Sequence, residues 1–263
     1  MATANGNHNK SVDRALNLLD LFSSETPSLS VRELAGRLGT TRVTLYPTIN
    51  ALVARGFLER TDDNRFALGM KLVERGGAKL ASLDIRRVAR PRLHSLAMKL
   101  CTNAHLAALH GDEVLYLERE QGRPSVSLRE IVGARVSPHC TALGKALLAF
   151  SRQDVATEIA QRLKYVQHTQ HTISNPRDFL EALESVRLRG YALEAEEFHI
   201  GSACIAAPVT RLEDRLVAAI SVSFTSADLD VSGEDALARA VMGAAAAIST
   251  DLGGTLKCLS TSC

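Results

Sequence analysis

Apolar side chains recur at helical spacing from early in the chain: Val12, Ala15, Leu16, Leu19 and Phe22 occupy positions i, i+3, i+4, i+7 and i+10. This predicts an amphipathic helix that runs out in Ser23-Ser24-Glu25-Thr26-Pro27. A second helix opens at Ser30-Val31-Arg32-Glu33, a capping box in which Glu33 N–H donates to the Ser30 hydroxyl while the Glu33 carboxylate accepts from Ser30 N–H. Val31, Leu34, Ala35 and Leu38 give it an inward face, and Gly39 ends it where left-handed backbone is required. Thr40 or Thr41 can cap a third helix with the stripe Leu45, Ile49, Leu52 and Val53. The period then changes to two. Phe57 to Arg60 and Arg65 to Leu68 alternate around Thr61-Asp62-Asp63-Asn64, the pattern of a β-hairpin.

A short capped helix, a glycine turn and a third helix with a polar first turn form a helix-turn-helix signature, and the hairpin supplies a wing. Threonine hydroxyls and a helix N-terminus suit phosphate oxygens, and an arginine in the first turn can reach a base edge in the major groove. The candidates for contact with double-stranded DNA are Thr40, Thr41, Arg42, Val43, Thr44, Pro47 and Thr48, with Arg65 from the wing. The helices alone also fit a packing unit without a ligand. The hairpin tilts the reading toward the winged form.

Behind the wing, Met70, Leu72, Val73, Leu80 and Leu83 suggest a linker helix interrupted by Gly76-Gly77. Each glycine costs about 1 kcal/mol of helix stability relative to alanine, so the pair predicts a bend or hinge, the alternative being a surface helix with a tolerated flaw. The rear of the chain reads as helices around an antiparallel sheet. Ala89, Leu93, Leu96 and Leu100 mark a helix face; His105 to Leu109 and Glu113 to Leu117 are strands around Gly111-Asp112, with Ser125 to Ile131 a third. Asn175-Pro176 starts a helix that Gly190 closes, with Phe179, Leu180, Leu183 and Val186 inward. Strands follow at Cys204 to Val209 and Leu216 to Phe224 around an Arg211 to Arg215 turn. On the last strand Leu216, Ala218, Ile220, Val222 and Phe224 face one side as core, while Val217, Ala219, Ser221 and Ser223 face the other. The serines can serve a ligand, or bond to a neighbouring helix or a buried water. The fold class is therefore α+β.

Composition sets the frame without choosing the function. A chain of 263 residues, 46% hydrophobic and 23% charged, fits two modest globular domains rather than a fibrous or disordered class. No apolar run reaches the ~18 residues of a membrane span, and the polar stretch Met1 to Lys10 lacks a secretory pattern, so a cytoplasmic protein without membrane attachment is expected. Five cysteines, Cys101, Cys140, Cys204, Cys258 and Cys263, are odd in number and scattered, which suggests thiols. Charge is uneven. Residues 1–85 are net +2, residues 86–100 add +5, and the remainder is −5, which places any polyanion contact toward the front.

Several ordered motifs carry a resemblance. Ser11-Val12-Asp13-Arg14-Ala15-Leu16, Val31-Arg32-Glu33-Leu34-Ala35, Thr44-Leu45-Tyr46 and Gly56-Phe57-Leu58 lie in front. Behind them come Thr141 to Ala149, Arg189-Gly190-Tyr191-Ala192, Glu196-Glu197, Gly201, Cys204 to Val209 and Ala219 to Ser223. Together, over roughly residues 10 to 250, they resemble the IclR family of bacterial transcriptional regulators. The resemblance implies a GAF-like effector-binding domain, a linker helix that helps join subunits, and a homodimer that pairs into a dimer of dimers on a pseudo-palindromic operator. It implies a ligand-responsive regulator of a catabolic pathway. The organisation expected is a disordered tail over 1–9, the winged domain over 10–69, the linker over 70–84, the effector-binding domain over 85–252 and a C-terminal tail over 253–263. Glu194, Cys204, Ser221 and Ser223 match effector-pocket positions. The helix starting at Thr141 and Ala142 adds backbone N–H groups suited to a carboxylate, and Val126, Leu128 and Val136 add apolar walls, so the expected effector is a small organic acid. Glu194 must then be protonated, pair with a ligand hydroxyl, or point away. One departure falls on the reading helix: Pro47 stands where relatives usually carry arginine, so the helix is expected to kink or start late.

Rival chemistries leave thinner traces. His139-Cys140 could contribute to a nucleophilic site only with a partner from elsewhere. His105, His110, His168 and His171 could bind a metal, but no spacing fixes a ligand set. The stretch before Gly144-Lys145 imitates a phosphate loop, with Ala146 in place of Ser or Thr. No cofactor or metal is expected, and the chain is read as a non-enzyme. The alternative is that the rear domain is a small-molecule enzyme or a structural dimerisation module.

Overall fold

The computed structural model describes residues 9–122, 131–211, 215–227 and 233–253. It divides into two compact units, 1–82 and 83–263. Val126 and Leu128, the strand expected from Ser125, and most of the two expected tails lie outside the described residues.

The first unit begins with α1 (Lys10–Leu19), capped by the Asn9 side chain, which accepts from Ser11 N–H. Its buried side differs from the expected stripe. Leu18 and Phe22 are buried while Val12 and Leu16 are more than half exposed, because only the C-terminal end of α1 packs on the core. After β1 (Ser28–Leu29), which no periodicity announced, α2 (Val31–Arg37) starts at the expected capping box and ends before Gly39 at φ +60°. Helix α3 (Arg42–Ala54) is capped by Thr41, whose hydroxyl accepts from Thr44 N–H, and it buries Leu45 and Ile49 fully. The wing strands β2 (Leu58–Arg60) and β3 (Phe66–Leu68) pair antiparallel, and β1 joins on the far side of β3. Gly69 follows β3 so closely against Gly56 that a Cβ would overlap its carbonyl. Helix α4 (Met70–Ala81) then runs through Gly76-Gly77 as one helix with no buried residue, so the paired glycines do not interrupt it.

The second unit is a six-stranded antiparallel sheet with helices on both faces. Its strands are β4 (Asn103–His110), β5 (Glu113–Glu120), β6 (Arg135–Val136), β7 (Ala192–Ala195), β8 (Ser202–Arg211) and β9 (Arg215–Thr225), ordered β6-β5-β4-β9-β8-β7. One face carries α5 (Asp84–Leu100) and α9 (Glu234–Asp251) over Leu106, Ile205, Ile220 and Val222. The other carries α6 (Ala142–Ala149), α7 (Gln153–Arg162) and α8 (Pro176–Arg189) over Ala107, Ala206 and Ala219. Small residues on this second face let α6, buried along its whole length, approach the sheet. Both faces are core, a correction to the one-sided expectation for β9. Its alternation also breaks: Val209 pairs with Ala218 but Thr210 with Leu216, leaving Val217 as a bulge. The extra residue flips the start of the strand, so Leu216 packs on the α6 side and Val217 on the α5 side.

Candidate nucleic-acid interface and effector pocket

On α3 the buried stripe fixes what points outward. Leu45 and Ile49 face the core, so Val43, Tyr46, Pro47 and Asn50, at i, i+3, i+4 and i+7, form the exposed stripe, with Val43 81% exposed. Thr41, Arg42 and Thr44 are exposed around the N-terminus; Thr40 and Thr48 are half-buried. The Thr41 hydroxyl lies 2.9 Å from that of Thr44, so capping fixes both. Pro47 sits inside the helix, which nevertheless starts at Arg42 and continues to Ala54; the expected late start is corrected. The proline lacks the N–H that would bond the Val43 carbonyl, and both residues lie on the solvent side, where water can take that acceptor. Asn50 escaped the sequence reading, although its place seven residues after Val43 puts it on this stripe. Its amide has the donor and acceptor pair that reads adenine.

Arg65 is held inside its own unit. Its guanidinium donates to the Ser28 hydroxyl at 3.0 Å and the Ser28 carbonyl at 2.9 Å, and pairs with Glu33 at 3.1 Å. It anchors the wing rather than reaching outward. The basic run on α5 is likewise committed: Arg86 pairs with Glu118 at 2.8 Å, Arg90 with Glu120 at 3.0 Å, and Arg92 with Asp251 at 3.1 Å.

In the second unit, strand register brings together residues expected to line an effector pocket. Asn103, Ser223, Cys204 and Glu194 stand opposite one another in turn across β4, β9, β8 and β7. The next row on the same face joins Arg119 on β5, His105 on β4 and Ser221 on β9. Cys204 Sγ lies 3.3 Å from Ser223 Oγ, and His105 meets the Tyr116 ring edge-on at 5.6 Å. Thr141 caps α6 by accepting from Gly144 N–H at 3.1 Å, so an anion at this terminus would face the N–H groups of Ala142 and Leu143. Gly144 is required there because a Cβ would overlap the Pro138 backbone. Val136, buried on β6, packs into the same core as α6.

The charged groups are arranged by burial. Glu194 Oε1 accepts from Glu197 N–H at 2.7 Å and Phe198 N–H at 3.2 Å, yet burial dominates and pushes its carboxyl up to about 7. Lys145 is almost fully buried and donates to the Leu193 carbonyl at 3.3 Å and to Glu197, whose carboxyl burial also raises. A lysine so engaged does not cradle a phosphate. Cys140 donates to the Ser137 carbonyl, and burial pushes its thiol up to about 12, the opposite of an activated nucleophile. His139 is held between Ser137 Oγ at 2.7 Å and the Val166 carbonyl at 3.1 Å, and burial lowers its pKa. Among the described residues no cluster of histidine, cysteine and carboxylate side chains has metal-binding geometry, and no helix is long and apolar enough to cross a membrane.

Two family profiles match in tandem: the IclR helix-turn-helix domain over residues 11–62 and the bacterial transcriptional regulator IclR C-terminal domain over residues 77–250. The chain belongs to the IclR family. Among curated relatives, the HTH-type transcriptional regulator XynR of Escherichia coli is 33% identical over 222 residues, covering 84% of this chain and 88% of its own. BhcR of Paracoccus denitrificans is 31% identical over 241 residues, covering 91% and 86%. The Thermotoga maritima IclR crystal structure superposes with a TM-score of 0.72 at 29% identity, covering 94% of this chain and all of that one. An IclR homologue from Microbacterium hydrocarbonoxydans, solved with 4-hydroxybenzoate, shares the fold at a TM-score of 0.80 and 24% identity, covering 92% and 98%. The chain is therefore a transcriptional regulator with a DNA-binding and an effector-binding domain, and its relatives are regulators rather than enzymes.

Proposed function

We propose that this chain is a cytoplasmic, ligand-responsive regulator of a catabolic pathway, whose DNA affinity is set by a small organic acid. Two or more copies read a pseudo-palindromic operator, because one winged unit covers only a half-site; pairing of dimers extends the contact. The observation that carries the reading is the outer face of α3. An exposed stripe and an open polar N-terminus stand out from a core that Leu45 and Ile49 secure, beside a wing held by Arg65. Thr41, Thr44 and the helix N-terminus suit phosphate; Arg42, Val43, Tyr46 and Asn50 suit base edges. Thr40 and Thr48 support the turn, and Pro47 shapes the stripe. Arg65 contributes by positioning the wing.

The acid binds on the α6 face of the sheet, between Ser221, Ser223 and Cys204, with Thr141, Ala142 and Val136 near the start of α6. Support comes from the hydroxyl-lined register rows and from the homologue that holds 4-hydroxybenzoate, itself a carboxylate. Effector and operator then favour different arrangements of the two units, so each changes the affinity of the other by the same factor.

The test is fluorescence anisotropy with DNA from upstream of the chain's own gene. Specific, salt-dependent binding is expected, and a R42A/T44A variant should lose it while keeping its melting temperature. Undiminished specific binding by that variant would exclude α3 as the reading element.

A further inference from the structure

We infer that the effector is a hydroxy acid, its carboxylate held by Arg119 and a neighbouring hydroxyl held by Asn103. The inference rests on the reading that the α6 face of the sheet binds an acid, and it names two residues outside the expected set. Arg119 pairs with His105 across β5 and β4, and Asn103 sits two residues before His105, so the three side chains share the pocket face. Asn103 is only 5% exposed, and its Oδ1 has no hydrogen-bond partner among the described residues. The Nε of Arg119 is equally buried and unpaired there. Buried polar atoms are almost always satisfied, so an unmet group in a native fold calls for a partner such as a water, an ion or a ligand.

The two unmet atoms have opposite roles. Arg119 offers N–H donors in a planar fork that matches a carboxylate, whereas Asn103 Oδ1 accepts and needs an O–H or N–H. A plain acid leaves the Asn103 acceptor unmet, and a neutral polyol can hydrogen-bond to both groups but leaves the guanidinium without a counter-charge. A carboxylate with a hydroxyl beside it satisfies both. Ser221 and Ser223, which pair with His105 and Asn103 across β9, extend the same polar row for further hydroxyls. The orientation follows from charge. Glu194 stands at the far end, three strand spacings or roughly 14 Å from Asn103. Its Oε1 is occupied by two backbone N–H groups, so the ligand's anionic end belongs beside Arg119 and its neutral end toward Glu194.

The experiment uses the full chain and three matched probe sets: sodium salts of three- to six-carbon polyhydroxy monocarboxylic acids, the unsubstituted acids of the same length, and the alditols. Thermal shift and titration calorimetry should show stabilisation by at least one hydroxy acid well beyond its two matched controls. R119Q should weaken that binding by about tenfold or more, and R119K by less. N103L should erase the advantage over the unsubstituted acid. The melting temperature without ligand reports folding; should R119Q melt early, R119K and N103L carry the comparison. No stabilisation by any hydroxy acid, an equal shift with the unsubstituted acid, or a shift that survives R119Q in a folded protein would each overturn the inference. Operator binding, followed in parallel, separates the two readings. Its loss under every condition removes the regulator reading, whereas intact operator binding without hydroxy-acid preference removes this inference alone.

Discussion

One carboxylate oxygen of Glu33 both closes a capping box and meets Arg65. Glu33 Oε2 accepts from Ser30 N–H and from the Ser30 hydroxyl, each at 2.7 Å, and lies 3.1 Å from Arg65 Nη2. The start of α2 and the base of the wing are thus joined through a single atom, which aligns the wing with the helix-turn-helix.

Acid should undo that joint in a defined window. The Ser30 hydrogen bonds, helped by Arg65, lower the Glu33 carboxyl from 4.5 to about 2. A depressed acid stabilises the fold fully above its unfolded value and loses that contribution as pH falls through the folded one. The wild-type chain should therefore lose stability between pH 4.5 and about 2. Glu33→Gln keeps a cap acceptor without the charge and should flatten that part of the profile. Hydrogen exchange at α2 and wing amides across this range checks it; an unchanged slope would show that Glu33 is not the group responsible.

Pro47 trades helix stability for shape on the face of α3 proposed to read DNA. An interior proline costs up to about 3 kcal/mol in lost hydrogen bonding and ring clash, less where water takes the orphaned carbonyl. Pro47→Ala should restore the bond to Val43, slow exchange at α3 amides, and alter base preference at one operator position while leaving affinity for random DNA intact. Asn50→Ala should cost about 1 to 3 kcal/mol for the operator alone, with the same salt slope. A loss shared equally by random sequences would place Asn50 on the phosphates instead.

Local signals explain which parts of this chain were legible. Caps, glycine stops and alternating strands act between residues a few positions apart, so Ser30 with Glu33, Gly39, Asn175 with Pro176 and the Gly111 turn all occur as the sequence indicates. Leu18 was missed because both Leu16 and Leu18 suit a helix, and only packing chooses which is buried. The bulge at Val217 has no local signature, so the flip of Leu216 could not be read. Asn103 and Arg119 acquire their meaning from register across three strands, a non-local fact. Arg65 and the α5 arginines looked free to meet a polyanion because their acidic partners are distant in sequence; Arg92 and Asp251 are the extreme case.

Glu194 should give the proposed effector pocket a pH response. Burial raises its carboxyl from 4.5 to about 7, so the folded state holds the proton more tightly than the unfolded chain. Its stabilising contribution is complete below pH 4.5 and is lost as pH rises through about 7. An ionised Glu194 also opposes an anion on the same face. Wild-type affinity for an acid effector should therefore be weaker at pH 8 than at pH 6, and Glu194→Gln should remove the difference by gaining affinity at the higher pH. Calorimetric titration at both values decides it, and a persistent difference in the Gln variant would assign the response to another group.

The basic run on α5 gives the sharpest contrast between net charge and available charge. Arg86, Arg90 and Arg92 are each paired with an acid of their own unit, so their field is largely cancelled at the distances where a phosphate would sit. Arg42, exposed at the α3 N-terminus, has no ion-pair partner to surrender among the described residues. Each phosphate contact contributes about 0.9 to the slope of log affinity against log salt. Arg42→Gln should reduce that slope by about one unit if it neutralises a phosphate, or leave the slope and lose specificity if it reads a base. The double variant R90Q/R92Q should leave both unchanged. A reduced slope in the double variant would mean that these arginines exchange Glu120 and Asp251 for DNA, and the reading surface would then extend beyond the first unit.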